Sequence, residues 1–124
     1  GPGVELRAIT RPYCFSSSQS RALAAARVRA ELGGGAPREL LCDGLQGVER
    51  LDAAERAAWQ DWGGPRLSPK IVCGEGFMAA AAWQCVAAVD ALLQQQYPAA
   101  TVSIVGCNQQ AIAAQFTRTE EVMR

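Results

Sequence analysis

Strand-like and helix-like segments alternate along this chain, and that alternation constrains the fold more than any other feature. Residues 4–10 alternate apolar and polar side chains, which is the period of a half-buried strand. Residues 19–32 are rich in Ala, Leu and Arg, follow three serines that suit an N-cap, and end at a run of glycines, so they predict a helix. The short apolar run 39–42, followed by Asp43 and Gly44, predicts a central strand that opens into a loop.

The second half of the chain continues the alternation. Asp52 is predicted to cap a helix over residues 53–62, and 71–73 reads as a short strand before a long helix over 77–95. A strand is predicted at 101–105, whereas 111–116 suits either a strand or a helix. We therefore expect an α/β fold, a layered sheet with packed helices, in which the Ala-rich helix is the most buried.

Length and charge limit the classes of partner. The 124 residues are 49% hydrophobic, which predicts a single domain over 4–124, with 1–3 resembling the remnant of a protease cleavage site. Twelve basic and twelve acidic residues balance, so no net field attracts nucleic acid or a membrane surface. The Ala-rich stretch 76–93 carries Gln84 and Asp90, which favours a buried helix over a membrane span.

The chain contains no histidine, which excludes any chemistry that needs an imidazole base or ligand from this chain alone. Its five cysteines are widely spaced and form no CxxC pair, so we expect no metal and no cofactor, and predict free thiols in a reducing cytoplasm. Three of these cysteines lie in apolar runs and are expected in the core: Cys42, Cys73 and Cys85. The three tryptophans could line an acyl pocket or serve as packing anchors: Trp59, Trp62 and Trp83.

One segment carries a family resemblance. In the run from Lys70 to Phe77, Lys70 precedes Glu75 by the spacing that separates a lysine from a histidine in ketosynthases, and a small-residue helix follows in both. Asp43-Gly44 resembles the first histidine-glycine pair of that family, with Asp52 and Glu55 similar to its acidic pair. The run from Ser103 to Asn108 resembles the glycine-rich, asparagine-containing turn near the ketosynthase C-terminus.

This resemblance implies the C-terminal half of a thiolase-like fold. Active relatives use a cysteine from the N-terminal half and two histidines that stabilise a developing oxyanion. Here Asp43 and Glu75 stand at both histidine positions, and a carboxylate there would oppose the developing negative charge. Lys70 and Asn108 keep their family positions, and Cys107 is a weak candidate for the C-terminal acid/base cysteine of thiolases. Glu75 could instead act as a general acid or base, or pair with Lys70 in a turn.

The resemblance therefore predicts a non-catalytic ketosynthase-like subunit or domain, similar to chain-length-factor partners in polyketide or fatty-acid-type elongation. Its expected partners are an active ketosynthase or a complementary N-terminal half, and an acyl carrier protein, within a dimer or hetero-oligomer. The alternative is a thiolase-fold acyltransferase or condensing enzyme completed by a separate N-terminal half. A third hypothesis is a stand-alone α/β interaction module.

Overall fold

The computed structural model describes residues 3–33, 38–73, 78–94, 97–106 and 109–119, with the side chains of 72, 73, 78 and 79 outside that description. Strands and helices alternate as the sequence predicts, and the α/β class is confirmed. The strands are β1 (Gly3–Ile9), β2 (Tyr13–Cys14), β3 (Leu40–Cys42), β4 (Arg66–Leu67), β5 (Ala99–Val105) and β6 (Gln110–Thr119). The helices are α1 (Ser18–Leu32), α2 (Glu49–Ala58), α3 (Pro69–Cys73) and α4 (Met78–Leu93).

The strands form one mixed sheet in the order β1-β6-β5-β3-β4, and β2 pairs with β6. β3 runs parallel to both β4 and β5, whereas β6 is antiparallel to β5, β1 and β2. All three residues of β3 are buried, as expected of a parallel strand covered on both faces. The predicted central position of this strand is thus confirmed. Gly3, set aside in the sequence analysis, is the first residue of β1 and pairs with Thr119.

Two cores lie on opposite faces of the sheet, because successive side chains of a strand point to opposite sides. Leu41 packs with α1 residues and with Trp59 and Trp62, whereas its neighbours Leu40 and Cys42 pack with α4 and β5. The chain therefore has three layers, with α1 and α2 on one face of the sheet and α4 on the other.

The N-terminus of α1 follows the predicted capping. Ser17 accepts a hydrogen bond from the backbone N–H of Ser20, and the Ser20 hydroxyl accepts one from the Ser17 N–H, so the two serines cap reciprocally. The helix ends at Gly33, whose positive φ of 68° suits a residue without a Cβ.

The predicted position of α2 is wrong by four residues. The helix spans Glu49–Ala58, and Asp52 lies within its first turns instead of preceding it. Its carboxylate nevertheless performs a capping function, because it accepts hydrogen bonds from the backbone N–H groups of Gln46, Gly47 and Val48. An acidic residue inside a helix can thus accept hydrogen bonds from the backbone of the loop that precedes the helix. A sequence pattern does not distinguish this role from that of an N-cap residue.

The predicted strand at residues 71–73 is also wrong, because these residues belong to the short helix α3. Pro69 occupies its first position, where the missing N–H costs nothing, and the N–H of Ile71 donates to the carbonyl of Ser68. The strand that pairs with β3 opposite β5 is β4, which ends four residues before Ile71 in the sequence. The ambiguous segment 111–116 is resolved as part of β6, the longest strand.

The long helix α4 is buried on one face only. Ala88 and Leu92 are fully enclosed against β3 and β5, whereas Trp83, Val86 and Leu93 are exposed. Among the described residues α4 nevertheless has five buried side chains, more than α1 or α2, so the prediction that it is the most buried helix is confirmed. Trp59 and Trp62 are core residues, and their rings contact edge to face with centroids 5.6 Å apart.

Candidate functional site

Buried polar side chains gather where β3 ends. Asp43 immediately follows β3, Ser103 lies in the neighbouring strand β5, and Glu55 reaches this point from α2. Lys70 in α3 is buried close to this group. The carboxyl ends of parallel strands are where α/β folds place their sites, so this cluster is the candidate site on positional grounds.

Glu55 is the centre of the cluster. Its Oε2 atom accepts hydrogen bonds from the Ser103 hydroxyl at 2.6 Å and from the backbone N–H of Gly44 at 2.9 Å. The Ser103 hydroxyl in turn accepts one from Nε1 of Trp59 at 3.0 Å. A Cβ on Gly44 would lie 3.2 Å from Glu55 Oε1, so a larger residue here would require the Glu55 carboxyl group to shift by a few tenths of an ångström. The hydrogen bonds tie α2 to β5 and to the loop after β3.

Burial raises the pKa of Glu55 to about 7, because a carboxylate removed from water is disfavoured. The hydrogen bonds from Ser103 and Gly44 and the charge of Lys70 act in the opposite direction, and the charge of Asp43 adds to the rise. Lys70 therefore lies where its charge compensates that of the Glu55 carboxylate.

Asp43 makes the local contacts that its position in the turn predicts. Its Oδ1 atom accepts hydrogen bonds from the Ser68 hydroxyl at 2.6 Å and from the Leu45 N–H at 3.1 Å. The other oxygen, Oδ2, is buried and finds no hydrogen-bond partner among the described residues. Burial raises the pKa of Asp43, with the charge of Arg66 opposing the rise.

Of the site residues that the sequence predicts, the structure brings Asp43 and Lys70 to the same cluster. Glu75, Cys107 and Asn108 lie outside the described residues, so their predicted positions remain predictions.

The sequence analysis missed three members of the cluster: Ser68, Gln84 and Ser103. Gln84 is fully buried and donates from Nε2 to the backbone carbonyl of Ser103 at 2.7 Å. A polar residue inside an otherwise apolar run, such as Gln84 in the Ala-rich helix or Ser103 in β5, could have indicated a buried hydrogen-bonded side chain.

The thiol beside this cluster is unsuited to nucleophilic attack. Burial raises the pKa of Cys42 to about 12, so the reactive thiolate is absent near neutral pH. Cys42 is buried and Cys85 half-buried, as the core prediction requires, but Cys14 is exposed. Cys73 belongs to α3, and its side chain is outside the described set. Among the described residues, no three His, Cys, Asp or Glu side chains are arranged to hold a metal ion.

A cavity of about 460 Å³ lies beside the carboxyl end of β5, between the start of α1 and α2. Its lining includes the serines Ser16 and Ser17 and the cationic side chains of Arg21 and Arg50. None of Asp43, Glu55 and Lys70 lines this cavity. These three residues are instead buried, with 1%, 2% and 5% of Asp43, Glu55 and Lys70 exposed.

Across the described residues, no helix combines the length and the apolar character that a membrane crossing requires. No protein-family model matches the sequence, and no curated protein matches it. One similar solved structure is AntDE:AntF, described as a type II PKS acyl-carrier protein in complex with its ketosynthase bound to the hexaketide. The match has a TM-score of 0.71 at 13% sequence identity, and it covers 92% of this chain and 32% of that chain. The chain thus has the fold of about a third of a chain from that complex.

Proposed function

We propose that this chain is a non-catalytic ketosynthase-like subunit or domain that partners an active ketosynthase in polyketide or fatty-acid-type chain elongation. In this proposal it corresponds to the C-terminal half of a thiolase-like fold and acts within a dimer or hetero-oligomer that also engages an acyl carrier protein. The free thiols of Cys14, Cys42 and Cys85 suit a reducing compartment such as the cytoplasm.

The observation that carries the proposal is the buried carboxyl group of Asp43 at the end of β3. The resemblance places a catalytic histidine there, which donates a hydrogen bond to a developing oxyanion. Asp43 instead accepts hydrogen bonds from Ser68 and Leu45, with Glu55 adding a second carboxyl group nearby. When these carboxyl groups are ionised they oppose negative charge that develops beside them, so the arrangement favours a structural partner over a catalyst.

The fold likeness supports the polyketide context. The similar structure contains a ketosynthase and an acyl-carrier protein, and this chain spans 32% of the chain it matches. In the proposed role, partner chains supply the part of that larger fold which this chain does not span.

A second candidate is an acyltransferase or condensing enzyme completed by a separate N-terminal half. The pKa of Glu55, raised to about 7, favours it, because proton transfer is most efficient when the pKa of the group lies near the working pH. Opposing this, Glu55 is enclosed, and its Oε2 atom is engaged by Ser103 and Gly44.

The test is to co-express the chain with a type II ketosynthase and its acyl carrier protein, to purify any complex, and to measure product formation from malonyl-loaded carrier protein. A partner role predicts a stable complex whose turnover is the same with Asp43→Asn as with the exposed control Asp61→Asn. A loss of about 100-fold in kcat with Asp43→Asn, in a complex that still assembles, would support the enzyme instead. Absence of any complex with either protein would refute the proposal.

A further inference from the structure

Two arginine side chains line the cavity of about 460 Å³ between the start of α1 and α2. Arg21 is the fourth residue of α1, and Arg50 is the second residue of α2. Neither side chain forms an ion pair with a described residue, in contrast to Arg11, Arg29 and Arg56, which each pair with a carboxylate. The described lining of the cavity contains no acidic side chain, so two positive charges meet there without a counter-charge.

Arg21 is half-buried, and an aromatic ring holds its charge at the cavity. Its guanidinium carbon lies 5.2 Å from the centre of the Phe15 ring, and both residues line the cavity. The Nε atom of Arg21 is buried and finds no hydrogen-bond partner among the described residues. Because the donors of a guanidinium group lie in its own plane, stacking on an aromatic face leaves the outer N–H groups available to an oxyanion.

Uncharged donors border the same space. The hydroxyl groups of Ser16 and Ser18 make no hydrogen bond to a described residue, whereas the Ser17 hydroxyl caps α1. The first N–H groups of a helix have no acceptor within the helix, and the helix dipole places partial positive charge at this end. The terminus of α1 therefore adds to the field of the two arginines, which carry the site.

We propose that this cavity binds a small phosphate monoester, with Arg21 and Arg50 on the phosphoryl oxygens and the organic part against Phe15 and Leu51. Guanidinium groups match the oxygens of a phosphoryl group with paired hydrogen bonds. The volume falls in the range of about 300–1,000 Å³ that is typical of small-molecule sites, and the two apolar side chains of the lining suit an organic group. This site goes beyond the proposed function and does not depend on it.

The test is isothermal titration calorimetry of the purified chain with phenyl phosphate at low ionic strength and about pH 7.5, where the phosphoryl group is mostly a dianion. We expect one ligand per chain with a Kd on the order of 0.1–1 mM that rises as salt is added. Inorganic phosphate should bind at least about threefold more weakly, because it leaves the apolar part of the cavity unfilled. Phenol should not bind, since it carries no anionic group.

Variants of the two arginines test their roles. Arg50→Gln should weaken the binding of phenyl phosphate at least about tenfold, and the variant should fold normally because Arg50 is exposed. Arg21→Lys keeps the charge but loses the planar donors, and should weaken binding about three- to tenfold. The matched control is Arg7→Gln, since Arg7 is exposed on β1, does not line the cavity, and its replacement removes the same charge.

Three results would count against this site. Absence of saturable binding at millimolar phenyl phosphate, or an equal loss of affinity with Arg7→Gln and Arg50→Gln, would overturn the proposal. Equal affinities for phenyl phosphate and inorganic phosphate would overturn the assignment to a monoester. Each measurement uses this chain alone, so its failure would leave the proposed partnership with a ketosynthase standing.

Discussion

The buried carboxyl group of Glu55 predicts an unusual dependence of stability on pH. Only 2% of the residue is exposed, and burial raises its pKa from 4.5 to about 7. Because the folded pKa lies above the unfolded one, the unfolded chain releases this proton first as pH rises. The contribution of Glu55 to stability is therefore complete below pH 4.5, falls as pH rises to about 7, and is then lost. At 1.36 kcal/mol for each pKa unit, the loss is about 3 kcal/mol.

The perturbation that isolates this effect is Glu55→Gln. The amide oxygen of glutamine can accept the hydrogen bonds from Gly44 and Ser103, but the side chain cannot ionise. We expect the variant to be as stable as the original chain or less so at pH 4.5, and more stable by up to about 3 kcal/mol at pH 8. Its free energy of unfolding should change less between these pH values, with Asp43 contributing the remaining slope in the same direction.

Urea unfolding followed by tryptophan fluorescence at several pH values measures this difference, because Trp59 and Trp62 are buried in the core. Glu5→Gln is the matched control, since Glu5 is exposed on β1 and the same change of charge should leave the pH dependence unaltered. If Glu55→Gln and the original chain lose stability in parallel between pH 5 and 8, Glu55 ionises as freely as an exposed carboxyl group and the reasoning from burial fails.

Three further changes test the packing around the site. Ser103→Ala removes the hydroxyl that joins Trp59 to Glu55, which leaves the indole N–H unpaired and the carboxyl group without one donor. The free energy of unfolding measured in urea should therefore fall by about 1–3 kcal/mol, and a change near zero would show that the network adds nothing to stability. Asp52→Ala should speed amide hydrogen exchange at Gln46, Gly47 and Val48, with exchange in β5 unaffected, and unchanged protection of these amides would contradict the capping role. Iodoacetamide should alkylate the exposed Cys14 of the native chain well before Cys42, as peptide mapping by mass spectrometry would show, and equal rates would place Cys42 at the surface.

The hydrogen-bond network around Glu55 suits a structural role in a chain without histidine. Glu55, Ser103 and Gly44 connect α2, β5 and the loop after β3, so their hydrogen bonds hold the carboxyl end of the sheet together. A structural role of this kind agrees with the proposed non-catalytic partner, because it requires correct geometry but no contact with substrate.

The sequence alone determined the elements whose signals are local. The serine cap and terminal glycine predicted α1, since capping depends on residues within one turn of the helix end. The apolar run before Asp43 predicted β3 as a central strand, because a strand that is covered on both faces carries apolar side chains on both of them. The alternation of these elements was sufficient to give the α/β class.

Tertiary structure decided whatever depends on contacts between distant residues. Residues 71–73 are β-branched and apolar enough for a strand, yet β4 takes the place beside β3, and Pro69 begins a helix instead. The sequence analysis placed Glu55 in the acidic pair of the family resemblance but did not predict its burial. Its raised pKa arises because the folded chain buries it away from water, and the hydrogen bonds from Ser103, 48 residues away, and from Gly44 oppose that rise only in part. Such an environment belongs to the packed sheet and helices, and no local pattern in the sequence encodes it.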